Sequence, residues 1–516
     1  MDERWAAAWR LLPSYLGAHV VLSAAALALG LVVSLPLAVL AVRSRRLRWP
    51  ILALASLVQT IPSLALLALF YPLLLAVSAF AQDLAGWRIS ALGFLPSLLA
   101  LTLYSMLPII RNTVTSVAGI DRDILEAADG VGMTSSQRLW RVELPLAAPM
   151  IMAGIRTAAV WVIGAATLST PVGQTSLGNY IFAGLQVEDW VSVLFGCISA
   201  AVLALVVDQA LAQLEAGTRT RNRKRMGGVV GGLALGVIVA AWPRGRDHAD
   251  AYVVGAKNFS EQYILSALIV GRLREQGAAV TTRDGLGSAI AFRALAAGDI
   301  DVYVDYSGTI WANVMQRTDA PPHAELVQQM TEWLRAEHGV ELVGELGFEN
   351  AYALAMRRDR AAALGVRTIA DLAAHASTLQ LGADFEFLVR PEWDALRSRY
   401  GLAFVGERQY QSTFMYKAVV AGDVDVISAF SSDGRIAAFD LVVLEDPAAA
   451  IPRYDAIVLV NGRRAADPML RAALSPLLGR VPITLMREAN LQVDRDQDKQ
   501  SPEAAAAWLM HRIEQR

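Results

Sequence analysis

Between residues 126 and 145 the chain carries residue types spaced for docking: Glu126-Ala127-Ala128, three residues, Gly132, nine residues, then Val142-Glu143-Leu144-Pro145. Small alanines permit close approach to a partner, a glycine makes a turn, and the charged face stays soluble. The pattern predicts a helix holding Glu126, Ala127 and Ala128, broken at Gly130 or Gly132, then a second short helix stopped by Pro145. Groups for covalent chemistry are missing. No G-x-x-x-x-G-K-[ST] phosphate loop occurs, and lysine stands only at 224, 257, 417 and 499, never behind such a glycine run. The histidines are scattered, with no nucleophile–base pair or metal-ligand spacing. No catalytic residue, metal or cofactor is therefore expected.

These residues belong to a chain of 516 residues, long enough for two to four domains. It is 55% hydrophobic and 18% charged, with mean hydropathy +0.39 and net charge −2. The near-neutral balance argues against nucleic acid as a partner. The averages conceal two unlike halves: residues 15–242 are mostly long apolar stretches, and residues 243–516 have the charge mix of a soluble domain. A bilayer core of about 30 Å needs roughly 20 apolar helical residues. Five stretches fit: Tyr15–Val42, Ile51–Ala79, Phe94–Ile110, Pro149–Ser169 and Val191–Leu211. A shorter sixth runs from Met226 to Trp242.

Arginine and lysine in the short loops set the orientation. Arg43, Arg45, Arg46 and Arg48 follow the first span, Arg111, Arg122, Arg138 and Arg141 the third, and Arg219, Arg221, Arg223, Lys224 and Arg225 the fifth. All three loops share one side if the N-terminus is outside, which puts everything after Trp242 outside the cytoplasm. Arg219–Ala241 also has the make-up of a secretory signal, a basic stretch followed by an apolar one. Being internal, it reads as an uncleaved anchor, with cleavage near Ala241 the alternative. The single cysteine, Cys197, lies in an apolar stretch and is expected to be a buried, inert thiol.

From Ala251 onward, strand-like runs at Ala251–Val254, Ile300–Val304, Val424–Ile427 and Ile457–Val460 alternate with helical patterns at Glu261–Gln276 and Ala324–Glu337. Such alternation predicts α/β packing around mostly parallel sheets. About 265 residues suffice for two lobes.

The spacing from Glu126 to Pro145 resembles the ATPase-coupling loop of binding-protein-dependent ABC importer permeases: EAA, three residues, Gly, nine residues, a hydrophobic residue, any residue, Leu-Pro. The resemblance covers residues 15–215. Gln59-Thr60-Ile61-Pro62-Ser63 and Leu107-Pro108-Ile109-Ile110-Arg111-Asn112-Thr113 look like the osmoprotectant branch. It implies a cytoplasmic ABC ATPase, present as a dimer, docked on Glu126, Ala127, Ala128 and Gly132. It also implies a second copy of the chain, since about six spans is half of an importer.

The soluble half resembles the quaternary-amine binding proteins of ABC importers. The carrying stretches are Lys257-Asn258-Phe259-Ser260-Glu261-Gln262, Asp305-Tyr306-Ser307-Gly308-Thr309, Glu349-Asn350-Ala351-Tyr352, Glu386-Phe387 with Arg390, Phe430-Ser431-Ser432-Asp433-Gly434-Arg435-Ile436, and Pro452-Arg453-Tyr454-Asp455. The family boxes a trimethylammonium group with four aromatic residues, at positions matching Tyr306, Tyr352, Phe430 and Tyr454; tyrosine is usual at 430. Aromatic faces attract such a cation by about 0.5–2 kcal/mol each. By the same match Lys257, Thr309 and Arg390 would hold a ligand carboxylate, and Gln262 a further polar position. Asp433 and Arg435 read as an interlobe ion pair outside the pocket.

The expectation is thus a multidomain chain: an all-α polytopic membrane domain of about six transmembrane helices followed by an α/β, two-lobed, periplasmic-binding-protein-like domain. The permease domain would occupy residues 1–216, a basic loop, anchoring helix and linker 217–250, and the extracytoplasmic binding domain 251–516. Lobe 1 would comprise about 251–345 and 453–516, lobe 2 about 346–452. The function implied is the permease-plus-binding subunit of an ATP-driven importer in the bacterial inner membrane, lodged in lipid. Its ligand would be of the glycine betaine, choline, carnitine or ergothioneine class. A membrane-anchored receptor for the same ligands is the rival reading.

Overall fold

A computed structural model describes residues 3–85, 92–186, 189–220, 222–242, 251–317, 319, 321–495 and 497–515. Residues 243–250, at the end of the expected loop, anchor and linker region 217–250, lie outside the described residues. The chain divides into two compact units, one helical and N-terminal, the other C-terminal and α/β.

In the helical unit, α1 (Glu3–Arg43), α4 (Phe94–Ala118), α7 (Leu144–Ala166), α9 (Trp190–Thr220) and α10 (Arg223–Ala241) supply five stretches long and apolar enough to cross a membrane, the third extended to Ser135–Val172. The expected span Ile51–Ala79 is not one helix. It is α2 (Arg45–Thr60) and α3 (Ser63–Ala85), bent by 103° and counting as a sixth span if the pair crosses together. Proline explains the break: Pro62 has no N–H to donate and forces Ile61 into extended backbone, ψ 126°. The Ile61 carbonyl at this break accepts the Tyr104 hydroxyl of α4.

Buried apolar residues of α1, α4 and α7, such as Leu22, Leu101 and Val162, pack into common clusters. One ionic group joins α7 to α9: Arg156 holds Asp208 with two bonds of 2.9 and 3.0 Å and Glu215 at 2.9 Å. Cys197 is exposed rather than buried. It shares α9 with exposed Leu194, Ile198, Val202, Leu205 and Val206, an apolar surface that suits lipid, so an apolar setting did not mean a packed one.

The docking segment begins with α5 (Arg122–Gly130), whose N-cap Asp121 accepts from the Asp123 N–H. The turn that follows α5 passes through Gly132, where φ is +77°, a left-handed conformation that glycine adopts without strain. Thr134 and Gln137 form a reciprocal cap on α6 (Ser135–Arg138). Pro145 does not stop this second helix, as the sequence implied. A π-helical turn over Leu139–Glu143 carries the chain directly into α7, with the Leu144 N–H reaching back to Leu139. Widening the turn accommodates the proline that a tight α-turn would exclude.

The α/β unit contains two five-stranded sheets. Strands β1 (Tyr252–Lys257), β2 (Val280–Leu286), β3 (Val302–Tyr306), β4 (Val340–Glu349) and β10 (Asp455–Asn461) form the first, ordered β2-β1-β3-β10-β4. Strands β5 (Tyr352–Arg357), β6 (Gln380–Asp384), β7 (Gly406–Tyr410), β8 (Val426–Phe430) and β9 (Leu441–Val443) form the second, ordered β7-β6-β8-β5-β9. The chain leaves the first sheet between Glu349 and Tyr352 and returns at Asp455. The sheets are mixed, not mostly parallel: β10 runs against β3 and β4, and β5 against β8 and β9. A strand entered directly from the other lobe, without a crossover helix on its own sheet, runs opposite to its neighbours.

Candidate ligand-binding site

The candidate residues lie where the two sheets face each other. Tyr306 ends β3, Phe430 ends β8, Tyr352 begins β5 and Tyr454 immediately precedes β10. Strand register fixes two of them together, since Tyr352 pairs directly with Phe430. Their rings are 5.0 Å apart, and Tyr352 stands perpendicular to Tyr454 at 6.2 Å. Both rings lie within the roughly 6 Å range over which a cation is attracted to an aromatic face. Tyr306 joins through a fifth ring: Phe259 stacks on Tyr306 at 6.3 Å and on Phe430 at 6.2 Å. Phe259 was visible in the sequence only as part of a motif. Gly308 is required here, because a Cβ would lie 2.5 Å from the Tyr454 ring.

Of the polar residues, Arg390 has two buried nitrogens without a hydrogen-bond partner. Its Nη2 meets Glu386 at 2.7 Å and its Nη1 lies 3.8 Å from Glu392. Nε and Nη1 have no hydrogen-bond partner although the side chain is only 10% exposed, and the guanidinium sits 5.1 Å over the Tyr352 ring. Burial opposes the charge of Glu386, but Arg390 outweighs it, aided by Lys257 and Ser288, and holds that carboxyl below its usual range. Burial pushes the Glu392 carboxyl up.

Lys257 stands differently from Arg390. Its ammonium is ion-paired with the fully buried Asp305 and lies 5.2 Å over the Tyr306 ring. Asp305 also accepts from the Tyr303 hydroxyl and the Tyr306 N–H. Lys257 thus already has an internal carboxylate. Thr309 is buried at the start of a π-turn (Thr309–Val314) beside Gly308. Gln262 donates to the Tyr306 hydroxyl at 3.0 Å, which places it behind the ring. Tyr306 in turn donates to Glu261 at 2.5 Å.

Contacts crossing between the lobes surround the aromatic group. Arg487 donates twice to the Ser431 carbonyl, at 2.7 and 2.9 Å, and Asn490 reaches the Ser432 carbonyl at 3.0 Å. Asp433 and Arg435 pair within one lobe at 2.6 Å, and Arg435 reaches across to Asp494 at 3.8 Å. Folding also gathers a histidine cluster that spacing did not announce: His323 lies 2.9 Å from Glu345 and 3.5 Å from Asp455. Arg453 grips both oxygens of Asp455, at 2.8 and 3.1 Å, so positive charge is already supplied there.

On the helical unit, Glu126 and Ala127 are exposed on α5 and Ala128 is buried against its own support. Arg138 ties the two arms of the segment, meeting Asp129 at 2.5 Å and Glu143 at 2.8 Å. Arg43 donates to the Ser135 carbonyl at 2.7 Å, so the first basic loop and the docking segment share one end of the unit. Ile124, Val131 and Trp140 are 44, 74 and 69% exposed, more apolar surface than a short polar-flanked loop needs unless a partner covers it.

Residues 250–511 match the family described as the substrate binding domain of ABC-type glycine betaine transport systems. Residues 27–220 match the binding-protein-dependent transport system inner membrane component. The ergothioneine transport permease/ergothioneine binding protein EgtU of Helicobacter pylori (strain G27) is 28% identical over 484 residues, covering 90% of this chain and 83% of that protein. The choline transport system permease protein OpuBB of Bacillus subtilis (strain 168) is 40% identical over 197 residues, 38% of this chain and 83% of that protein. A solved structure of a glycine betaine/carnitine/choline ABC transporter covers 51% of this chain and 98% of its own at 25% identity, with a TM-score of 0.45.

Proposed function

We propose, from the premise that this chain belongs to the family of ABC-type glycine betaine substrate-binding domains and carries a permease component on the same polypeptide, that it imports a betaine-like quaternary ammonium compound. The aromatic group takes the trimethylammonium head, and Arg390 takes the ligand carboxylate. The observation that carries this reading is the pair of unpartnered Arg390 N–H groups beside the Tyr352 ring. A planar, buried fork with free donors suits a carboxylate. That favours glycine betaine, carnitine or ergothioneine over choline. Lys257, held by Asp305, acts through the Tyr306 ring and the local field rather than as a second carboxylate clamp.

In this reading the N-terminus and the C-terminal domain lie outside the cytoplasm and the basic loops inside. A cytoplasmic ATPase dimer docks on the segment around Glu126, Ala127, Ala128 and Gly132, and two copies of the chain line the path. The lobes close on ligand, and the closed form engages the permease. The exposed apolar side chains of the docking segment favour this over a receptor without transport.

Calorimetric titration of the full-length chain in detergent against glycine betaine, carnitine, ergothioneine and choline tests the ligand class. The carboxylate-bearing compounds should bind at least tenfold tighter than choline; failure of all four to bind would refute it. Uptake into vesicles holding the chain with its ATPase should require ATP, and ATP-independent behaviour would favour the receptor.

A further inference from the structure

Glu261 is a buried carboxylate whose surroundings are built to hold a negative charge without a neighbouring cation. It begins α11 (Ser260–Glu275) and is 3% exposed. Its Oε1 accepts the Tyr306 hydroxyl at 2.5 Å and the Asn350 amide at 3.0 Å, and its Oε2 accepts the Asn490 amide at 2.8 Å. Among the described residues, no arginine, lysine or histidine lies within ion-pair distance of it.

The donor set shows which form the site accommodates. Gln262 donates to the Tyr306 oxygen, so that hydroxyl must turn its own proton toward Glu261. Asn350 and Asn490 both turn their NH₂ groups inward and leave buried carbonyl oxygens with no donor. With the amides turned this way, both carboxylate oxygens meet N–H or O–H donors, the arrangement that suits the anion. Two stranded amide oxygens are tolerated where a full anion gathers the opposing N–H groups. Burial pushes the Glu261 carboxyl up, and the hydrogen bonds from Tyr306, Asn490 and Asn350 oppose that rise.

We infer that Glu261 is the fixed counter-charge for the bound cation, a specificity residue that makes the aromatic site prefer a quaternary ammonium group over a neutral group of the same shape. The inference rests on the cage reading proposed above and adds what discriminates within it. Glu261 acts in two ways. Its charge acts through space on a cation over the Tyr306 ring, and its short bond to the phenol draws electron density into that ring's face. A carboxylate in line with the hydroxyl lies about 7 Å from a cation standing over the ring. At an effective dielectric constant of about 20, such a unit charge changes affinity on the order of 50-fold.

The test uses two ligands of one shape: glycine betaine, and 3,3-dimethylbutanoate, in which carbon replaces the quaternary nitrogen and the carboxylate remains. Both are titrated by calorimetry against the full-length chain in detergent. Glu261→Gln should weaken glycine betaine at least tenfold and leave 3,3-dimethylbutanoate within threefold, or bind it more tightly. Tyr306→Phe keeps the ring and removes the relay, and should shrink the ratio of the two affinities at least threefold; it serves where Glu261→Gln does not fold, as judged by thermal melting. A folded variant whose ratio stays within twofold of wild type overturns the role of Glu261 and leaves the cage reading standing. A wild-type chain that binds the two compounds equally overturns both.

Discussion

Arg390→Ala should separate ligands by whether they carry a carboxylate. The guanidinium is nearly enclosed, and two of its donor positions, Nε and Nη1, are unpartnered. A hydrogen bond to a charged group contributes about 1.5–3 kcal/mol, so two to a ligand carboxylate contribute on the order of 3–6. Stripping water from that carboxylate reduces the net to about 2–4 kcal/mol, or roughly 30- to 1,000-fold in affinity. The substitution also takes a cation from Glu386 and from Glu392, which is 2% exposed. Burial already favours the protonated form of Glu392, so it can take up a proton when Arg390 is gone. That cost falls on stability and is common to every ligand. Calorimetry on the full-length chain should therefore show glycine betaine losing at least 30-fold and choline less than threefold. Equal losses for the two, or a loss below threefold for glycine betaine, would refute the assignment of Arg390 to the carboxylate.

Further perturbations address other parts of the chain. Glu126→Lys with Gly132→Asp should abolish ATP-dependent uptake while ligand titration stays within twofold of wild type; normal uptake would remove the docking role. Gly308→Ala should weaken every quaternary ammonium ligand about tenfold, because its methyl would lie 2.5 Å from the Tyr454 ring and must displace it; titration of glycine betaine and choline checks this, and unchanged affinity for both would contradict it. Burial, only partly opposed by Arg435, pushes Asp494 up to about 6. Its folded-state value exceeds the unfolded one, so its favourable contribution is complete below pH 4 and is lost as pH rises through 6. The total is about 3 kcal/mol. Thermal melts of the full-length chain should lose that slope in Asp494→Asn, and an unaltered slope would assign it elsewhere.

Local information in the sequence locates much of this molecule. Length and hydropathy place the long helices, and the residue types around Gly132 dictate a cap and turn whatever surrounds them. The break at Ile61–Pro62 was also written in the sequence, in a proline that an average over the apolar stretch Ile51–Ala79 conceals. The mixed sense of the sheets was not legible, because it follows from which strand the chain enters on crossing between lobes. Nor was the exposure of Cys197, which depends on which face of α9 neighbouring helices leave open. The same division runs through the candidate site. Motifs name Tyr306, Tyr352, Phe430 and Tyr454, but the partners that decide how their neighbours act come from distant segments. Asp305 is 48 residues from Lys257, and Asn490 is 229 residues from Glu261.

Those distant partners also set the charge around the candidate residues. Lys257 and Arg390 are the cations among the candidate residues; Asp305 and Glu386 pair with them, Glu261 lies against the Tyr306 hydroxyl and Asp384 against that of Tyr352, and burial pushes Glu392 and Asp384 up. On the Tyr306 side the ammonium of Lys257 is matched by Asp305, and Glu261 adds a charge that nothing internal matches. On the Tyr352 side Arg390 keeps two donors that its carboxylates do not use. On the proposed reading a zwitterion would meet Glu261 at the Tyr306 end and the guanidinium of Arg390 at the other. Its ammonium would then lie toward Tyr306 and its carboxylate toward Arg390, the placement that the Arg390→Ala and Glu261→Gln titrations test. Because the two ends lie on different sheets, a ligand satisfying both must bridge the lobes, so the charge pattern that orients the ligand also favours closure around it.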